Sequence, residues 1–163
     1  LDKSGLTWQR RSALGQEPGA SASPLTTHHS PLTSSILLVD AVGELAAWWG
    51  TAAIAFVGGS LGRRGGQNMI EPAAFGAAVA FGPNTWNFRD VVSLLLAQQA
   101  AVVVKDAAEL ETFVRRCLAD PQYAKALGQR AREVVLRQIG AADATVQLLA
   151  HLATPGQARS IAA

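Results

Sequence analysis

Residues 56–72 read FVGGSLGRRGGQNMIEP. Phe56 and Val57 complete the apolar run from Ile54, which Gly58 and Gly59 close at once. A run of that length, cut off by glycine, predicts a buried strand turning out of a sheet. A second glycine pair, Gly65 and Gly66, comes next, followed by Asn68, a residue type suited to capping a helix, and a helical pattern that runs to Phe75. A strand, a glycine loop and a helix start in that order suit an anionic ligand. The glycines allow close backbone approach, and first-turn N–H groups have no partner within the helix.

Outward from this stretch the same alternation continues. Apolar runs occur at ILLVD (residues 36–40), Ala78 to Phe81 and Ala101 to Val104, and TWQRRS (residues 7–12) has the texture of a short strand. ILLVD reads as a strand buried on both faces of a parallel sheet. Helical patterns fill the intervals at residues 44–49, 68–75 and 88–98, the last with Val91, Val92, Leu95 and Leu96 on one face. Asp106 and Glu109 are spaced as a capping box before a helix with Leu110, Phe113, Val114, Cys117 and Leu118 on its apolar side. Asp120-Pro121 starts another helix, to about residue 138, and residues 141–152 offer a last one. The pattern predicts an α/β fold, a Rossmann-like three-layer parallel sheet, with ligands at the carboxyl ends of its strands.

The chain has 163 residues, enough for one domain that hides roughly two-thirds of its unfolded surface. With 49% hydrophobic and 16% charged residues, most of it reads as ordered. Two stretches differ: residues 15–35, rich in Gly, Ser, Pro and Thr, and residues 154–163. The domain is thus placed at residues 1–153, with a mobile loop at 15–35 and a flexible tail at 154–163. A net charge of +2 without a dense Lys/Arg run argues against nucleic acid as a partner. Cys117, the single cysteine, reads as a buried thiol, and no stretch of about 18 apolar residues is available to span a bilayer. Because the first residue is Leu1, a preceding segment is expected to be missing.

Chemistry concentrates in residues 56–72. Glu71 lies three positions after Asn68, where its carboxylate can accept two vicinal ribose hydroxyls. A glycine loop, a helix start and a carboxylate are what a sugar nucleotide requires, yet Asn68 and Glu71 also fit a reciprocal helix cap with no ligand. Arg63 and Arg64 fit either a phosphate or solvent. His28 and His29 have no third ligand at a suitable spacing, so no metal site is assigned. Trp48 and Trp49 read as core or interface residues, and Asn87 as the cap of the helix that follows it.

At this point the sequence resembles a known family. GGSLGRRGGQNMIEPAAFGAAVAFGPNTWNF follows the signature of the 3-deoxy-D-manno-octulosonic acid (Kdo) transferases: GGS, a variable stretch, GGHN or GGQN, two residues, EPA, a strand, FGP and NF. Upstream, Val39-Asp40-Ala41-Val42-Gly43-Glu44-Leu45 is similar to the family's VDTMGEL. The resemblance implies the C-terminal half of a GT-B glycosyltransferase, which binds the donor CMP-Kdo. Carried over by position, Gly43, Glu44 and Leu45 line the nucleotide, and Ser60, Gly65, Gly66, Gln67, Asn68 and Glu71 form the phosphate and ribose loop. The implied reaction transfers Kdo to a lipid A precursor in lipopolysaccharide biosynthesis. The full-length protein would be peripheral to the cytoplasmic face of the bacterial inner membrane, and the reaction needs no cofactor or metal. No catalytic residue is assigned here, since the family's general base lies in the missing N-terminal domain, and the fragment alone is expected to be inactive. Ala41 and Val42 depart from the family's Thr-Met, Gln67 stands where His is common, and Ala77-Ala78 replaces Lys-Pro. The alternatives are the donor domain of another GT-B enzyme, a UDP-sugar transferase or UDP-GlcNAc 2-epimerase, and a non-catalytic remnant acting as an interaction module.

Overall fold

The computed structural model describes residues 5–14, 36–138 and 140–153. The loop of residues 15–35, with His28 and His29, and the tail of residues 154–163 lie outside them. Two units divide the chain, Leu1–Trp48 and Trp49–Ala163.

In the first unit, β1 (Trp8–Arg10) and β2 (Ile36–Leu38) pair in parallel, from Trp8 opposite Ile36 to Arg10 opposite Leu38. A 3-10 turn over Arg11–Ala13 ends β1, and α1 (Leu45–Trp49) follows β2. The reading of ILLVD as doubly buried is corrected. Ile36 and Leu37 are half-buried and Leu38 is 39% exposed, because a ladder of two three-residue strands has too few neighbours to cover both faces.

The second unit carries β3 (Ile54–Val57), β4 (Ala78–Phe81) and β5 (Ala101–Val103), all parallel, with β4 in the middle. Every residue of β4 is fully buried, as its unbroken AVAF run requires. Side chains alternate across the sheet. Val79 and Phe81 join a cluster with Met69 and Ala73 of the segment around α2 (Ile70–Ala74), Val92 and Leu95 of α3 (Arg89–Ala97), and Ala131 and Val134 of α5 (Pro121–Leu136). Ala78 and Ala80 face a second cluster, with Phe113 and Cys117 of α4 (Ala107–Ala119) and Ala124 and Leu127 of α5. Helices on both faces of a parallel sheet make the three-layer α/β arrangement that the alternation predicted.

The helix starts follow their caps. Asp106 Oδ1 accepts from Glu109 N–H at 2.9 Å, while Glu109 Oε2 accepts from Lys105 N–H at 2.8 Å, one residue before the position a strict capping box would use. Asp120 Oδ1 accepts from Tyr123 N–H at 3.0 Å, with Pro121 in the first turn. The Arg116 guanidinium stands 3.8 Å above the Tyr123 ring, joining α4 to the start of α5. The apolar stripes are narrower than their sequence suggests: Leu96 is 38% exposed, and Leu118, at the rim of its stripe, is 69% exposed. Cys117 is buried as predicted, and that burial pushes its thiol above the ordinary 9.0, against the opposing pull of Arg116. The last helix, α6 (Ala141–Ala153), leaves Val146, Leu148 and Leu149 more than half exposed.

Gly128 of α5 sits against the Gly76 carbonyl, which a Cβ at that position would overlap. In an ordinary helix Gly→Ala gains up to ~1 kcal/mol. Here backbone would have to move, so Gly128→Ala is expected to cost about 1–3 kcal/mol, read as a lower urea midpoint with an unchanged slope.

Candidate functional site

β3 ends at Val57, and the chain enters the glycine loop through Ser60, which is fully buried. Its hydroxyl donates to Val57 O at 2.5 Å and accepts from Gly82 N–H at 2.8 Å, linking the carboxyl ends of β3 and β4. Gly82 has to be glycine, because a Cβ there would collide with the Ser60 carbonyl. Ser60, carried over above as a donor-site residue, therefore has its hydroxyl engaged within the protein, and its contribution to a site passes through the backbone it holds.

The loop closes with Gly66 N–H donating to Gly59 O at 3.2 Å and Gln67 N–H to Gly58 O at 3.1 Å. Gly65 and Gly66 have φ of +81° and +83°, a region that L side chains rarely adopt. Gly65 also lies against the next loop: a Cβ on it would stand 2.5 Å from Trp86 Nε1 and 2.6 Å from Asn87 Nδ2. The side chains of Arg63, Arg64 and Gln67 are exposed, and neither guanidinium forms an ion pair among the described residues.

Asn68 and Glu71 come together. Asn68 Oδ1 accepts from Ile70 N–H at 3.0 Å, and its Nδ2 donates to Glu71 Oε1 at 2.9 Å. The predicted helix over residues 68–75 is shorter, Ile70–Ala74, and its N-cap position is Met69; Asn68 caps from one residue further out. Five residues carry a small dipole, Asn68 occupies the Ile70 N–H and Pro72 has none, so the helix start offers less to an anion than the sequence implied. Nδ2 retains a second hydrogen, and Glu71 Oε2 makes no hydrogen bond among the described residues.

Residues 84–87 are the part that sequence reasoning placed elsewhere. Asn84 N–H donates to Ser60 O at 2.9 Å and its Nδ2 to Leu61 O at 3.4 Å. Asn87 Nδ2 donates to Arg64 O at 2.9 Å and its N–H to Gly65 O at 3.2 Å. Asn87 is thus no helix cap: the 3-10 turn Trp86–Phe88 intervenes, and α3 starts after Phe88 without a side-chain cap. The available signal was two asparagines just beyond the carboxyl end of a buried strand, where ligand loops gather.

Gly43, Glu44 and Leu45 lie in the other unit. Gly43 has φ +90° with open space around it, and Leu45 is 51% exposed. The Glu44 carboxylate is held by both ends of the Arg11 guanidinium, Nε to Oε2 at 2.9 Å and Nη2 to Oε1 at 3.2 Å. Asp40 accepts from Ser12 Oγ at 2.7 Å and Ser12 N–H at 2.9 Å, and Arg10 lies 3.9 Å away. The Ser12 hydroxyl, then its N–H, hold the Asp40 carboxyl below its ordinary 3.8. Arg11 and Ser12 were passed over in the sequence as ordinary members of TWQRRS.

No protein-family model matches the chain. Individual proteins do. A 3-deoxy-D-manno-octulosonic acid transferase of Bordetella pertussis is 35% identical over 149 residues, 91% of this chain and 32% of that protein. The one from Haemophilus influenzae is 36% identical over 117 residues, 71% of this chain and 27% of that protein. Among solved structures, the C-terminal CMP-Kdo binding domain of WaaA from Acinetobacter baumannii superposes with a TM-score of 0.64 at 30% identity, covering 80% of this chain and 61% of that one. Sequence and fold together place the chain with the C-terminal, Rossmann-like domains of GT-B glycosyltransferases. Within that class the relatives it matches are 3-deoxy-D-manno-octulosonic acid transferases. It spans a third or less of the length of the curated relatives it matches, 32% of the Bordetella protein and 27% of the Haemophilus one.

Two outcomes test this geometry. Ser60→Ala leaves the buried Gly82 N–H unpaired and is expected to cost about 1–3 kcal/mol in urea unfolding. The Asp40 carboxyl should titrate below 3.8 by NMR, and Ser12→Ala should move its midpoint back up toward that value. Since its folded pKa is the lowered one, its contribution to stability is complete above 3.8 and disappears as pH falls through the folded value.

Proposed function

We propose that this chain is the donor-binding domain of a Kdo transferase and holds CMP-Kdo. The observation that carries the reading is the pair Asn68 and Glu71 at the mouth of the glycine loop, in a chain related to a domain described as CMP-Kdo binding. Glu71 Oε1 is fixed by Asn68, and Oε2 remains to accept from the ribose hydroxyls. Loop amides and the second Asn68 Nδ2 hydrogen face the donor phosphate, and the exposed Arg63 and Arg64 add positive charge beside it. Groups fixed before the donor arrives can stabilise charge on the departing CMP without reorganising.

In the complete enzyme the acceptor is a lipid A precursor, and the protein works at the cytoplasmic face of the inner membrane. Among the described residues no helix is long and apolar enough to cross a membrane. Gln67, in place of a histidine, leaves donor binding free of an imidazole titration near neutral pH. In this reading the general base is supplied by the family's N-terminal domain, and residues 1–163 contribute the donor site.

Titrating the chain with CMP should shift the amide resonances of Gly65 to Glu71 and raise its Tm. Loss of a hydrogen bond to a charged group, about 1.5–3 kcal/mol, predicts that Glu71→Ala weakens CMP binding by roughly tenfold or more. A stronger response to UDP than to CMP would reassign the domain to a UDP-sugar enzyme, and no response to either would leave the interaction-module reading.

A further inference from the structure

Four hydrogen bonds run from residues 84–87 to the glycine loop, and all four end on loop carbonyls: those of Ser60, Leu61, Arg64 and Gly65. A trans peptide is planar, so the N–H of the following residue points away from the carbonyl that precedes it. With these carbonyls gathered on the Asn84 and Asn87 side, the N–H groups of Leu61, Gly62 and Gly65 are turned away from it. The Gly66 N–H is spent inside the loop, on Gly59 O, which leaves the others to meet a ligand. A loop with its N–H groups turned to one side is suited to an anion.

The Asn87 side chain holds the point in this loop that most needs holding. Its bond to Arg64 O, at 2.9 Å, is the shorter of the two side-chain bonds, and Arg64 O accepts no other hydrogen bond among the described residues. The peptide it fixes leads into Gly65 and Gly66, two successive residues with no Cβ to restrict them, where a peptide flip meets the least steric resistance.

We infer that Asn87 is a positioning residue of the donor site: by holding the Arg64 carbonyl, its amide keeps the Arg64–Gly65 peptide turned so that the loop's N–H groups face the donor phosphate. The inference rests on the donor-domain reading above and adds to it a residue that does not touch the ligand. A merely structural tie would weaken every ligand alike and lower the Tm. A residue that aims amides at an anion affects only ligands that carry the phosphate.

The experiment titrates the 163-residue chain, wild type, Asn87→Asp and Asn87→Ala, with CMP and with cytidine as the phosphate-free control, and records the Tm of each. Asn87→Asp keeps the shape and loses the donor; Asn87→Ala removes the donor without adding charge. The expected result is a loss of CMP affinity of about tenfold in both variants, the size of one hydrogen bond to a charged group. The cytidine response and the Tm should remain close to wild type. Equal CMP binding by wild type and variants overturns the role of Asn87 and leaves the donor reading standing. Parallel loss of CMP and cytidine binding with a lowered Tm, or failure of both variants to fold, also overturns it, since either is the behaviour of a structural tie. Absence of any CMP response in the wild type overturns the donor reading and this inference together.

Discussion

The Ser60 hydroxyl is the point on which the loop depends. It is fully buried, donates to Val57 O and accepts from Gly82 N–H, so one small side chain satisfies two backbone groups at the ends of neighbouring strands. Because the two strand ends are tied, the chains leaving them run side by side, and Asn84 and Asn87 can reach the loop's carbonyls. The requirement passes back along the chain as well: Ser60 comes so close to Gly82 that no side chain fits there.

The loop therefore has two walls of different kinds. One is the strand and helix that precede and follow it in sequence, with Asn68 bonded to Glu71. The other is the segment after β4, which meets it through Trp86 and Asn87. The first wall supplies groups with unused hydrogen-bonding capacity, and the second uses its capacity on the loop's carbonyls. Such a division fits a site that must be stiff before its ligand arrives, since supporting contacts hold the geometry that binding contacts exploit.

Much of this was legible in the sequence. β3 and β4 stand where their apolar runs placed them: β4 is buried on both faces, which leaves little choice of composition, and β3 is buried on one face and half-buried on the other. The caps at Asp106 and Asp120 were equally readable, being local in sequence. What escaped was non-local. Nothing in PNTWNF says that Asn87 bonds a carbonyl 23 residues away, and as an asparagine just before a helix it reads as a cap. Asn68 was read as the N-cap, but Met69 holds that position and Asn68 reaches the Ile70 N–H from one residue further out; the helix, Ile70–Ala74, is too short to act as an anion site through its dipole. Arg11 with Glu44, and Ser12 with Asp40, are pairs 33 and 28 residues apart, and only the parallel pairing of β1 with β2 brings them together.

The exposed side of α6 bears on how lipid experiments with this chain should be designed. Val146, Leu148 and Leu149 present branched hydrocarbon to solvent within a single turn of helix. A surface of that kind adsorbs to detergent micelles, vesicles and plastic alike, whatever the headgroup. Co-sedimentation with membranes would then report wetting by α6, and only the portion of the signal that changes when nucleotide is added would report anything else.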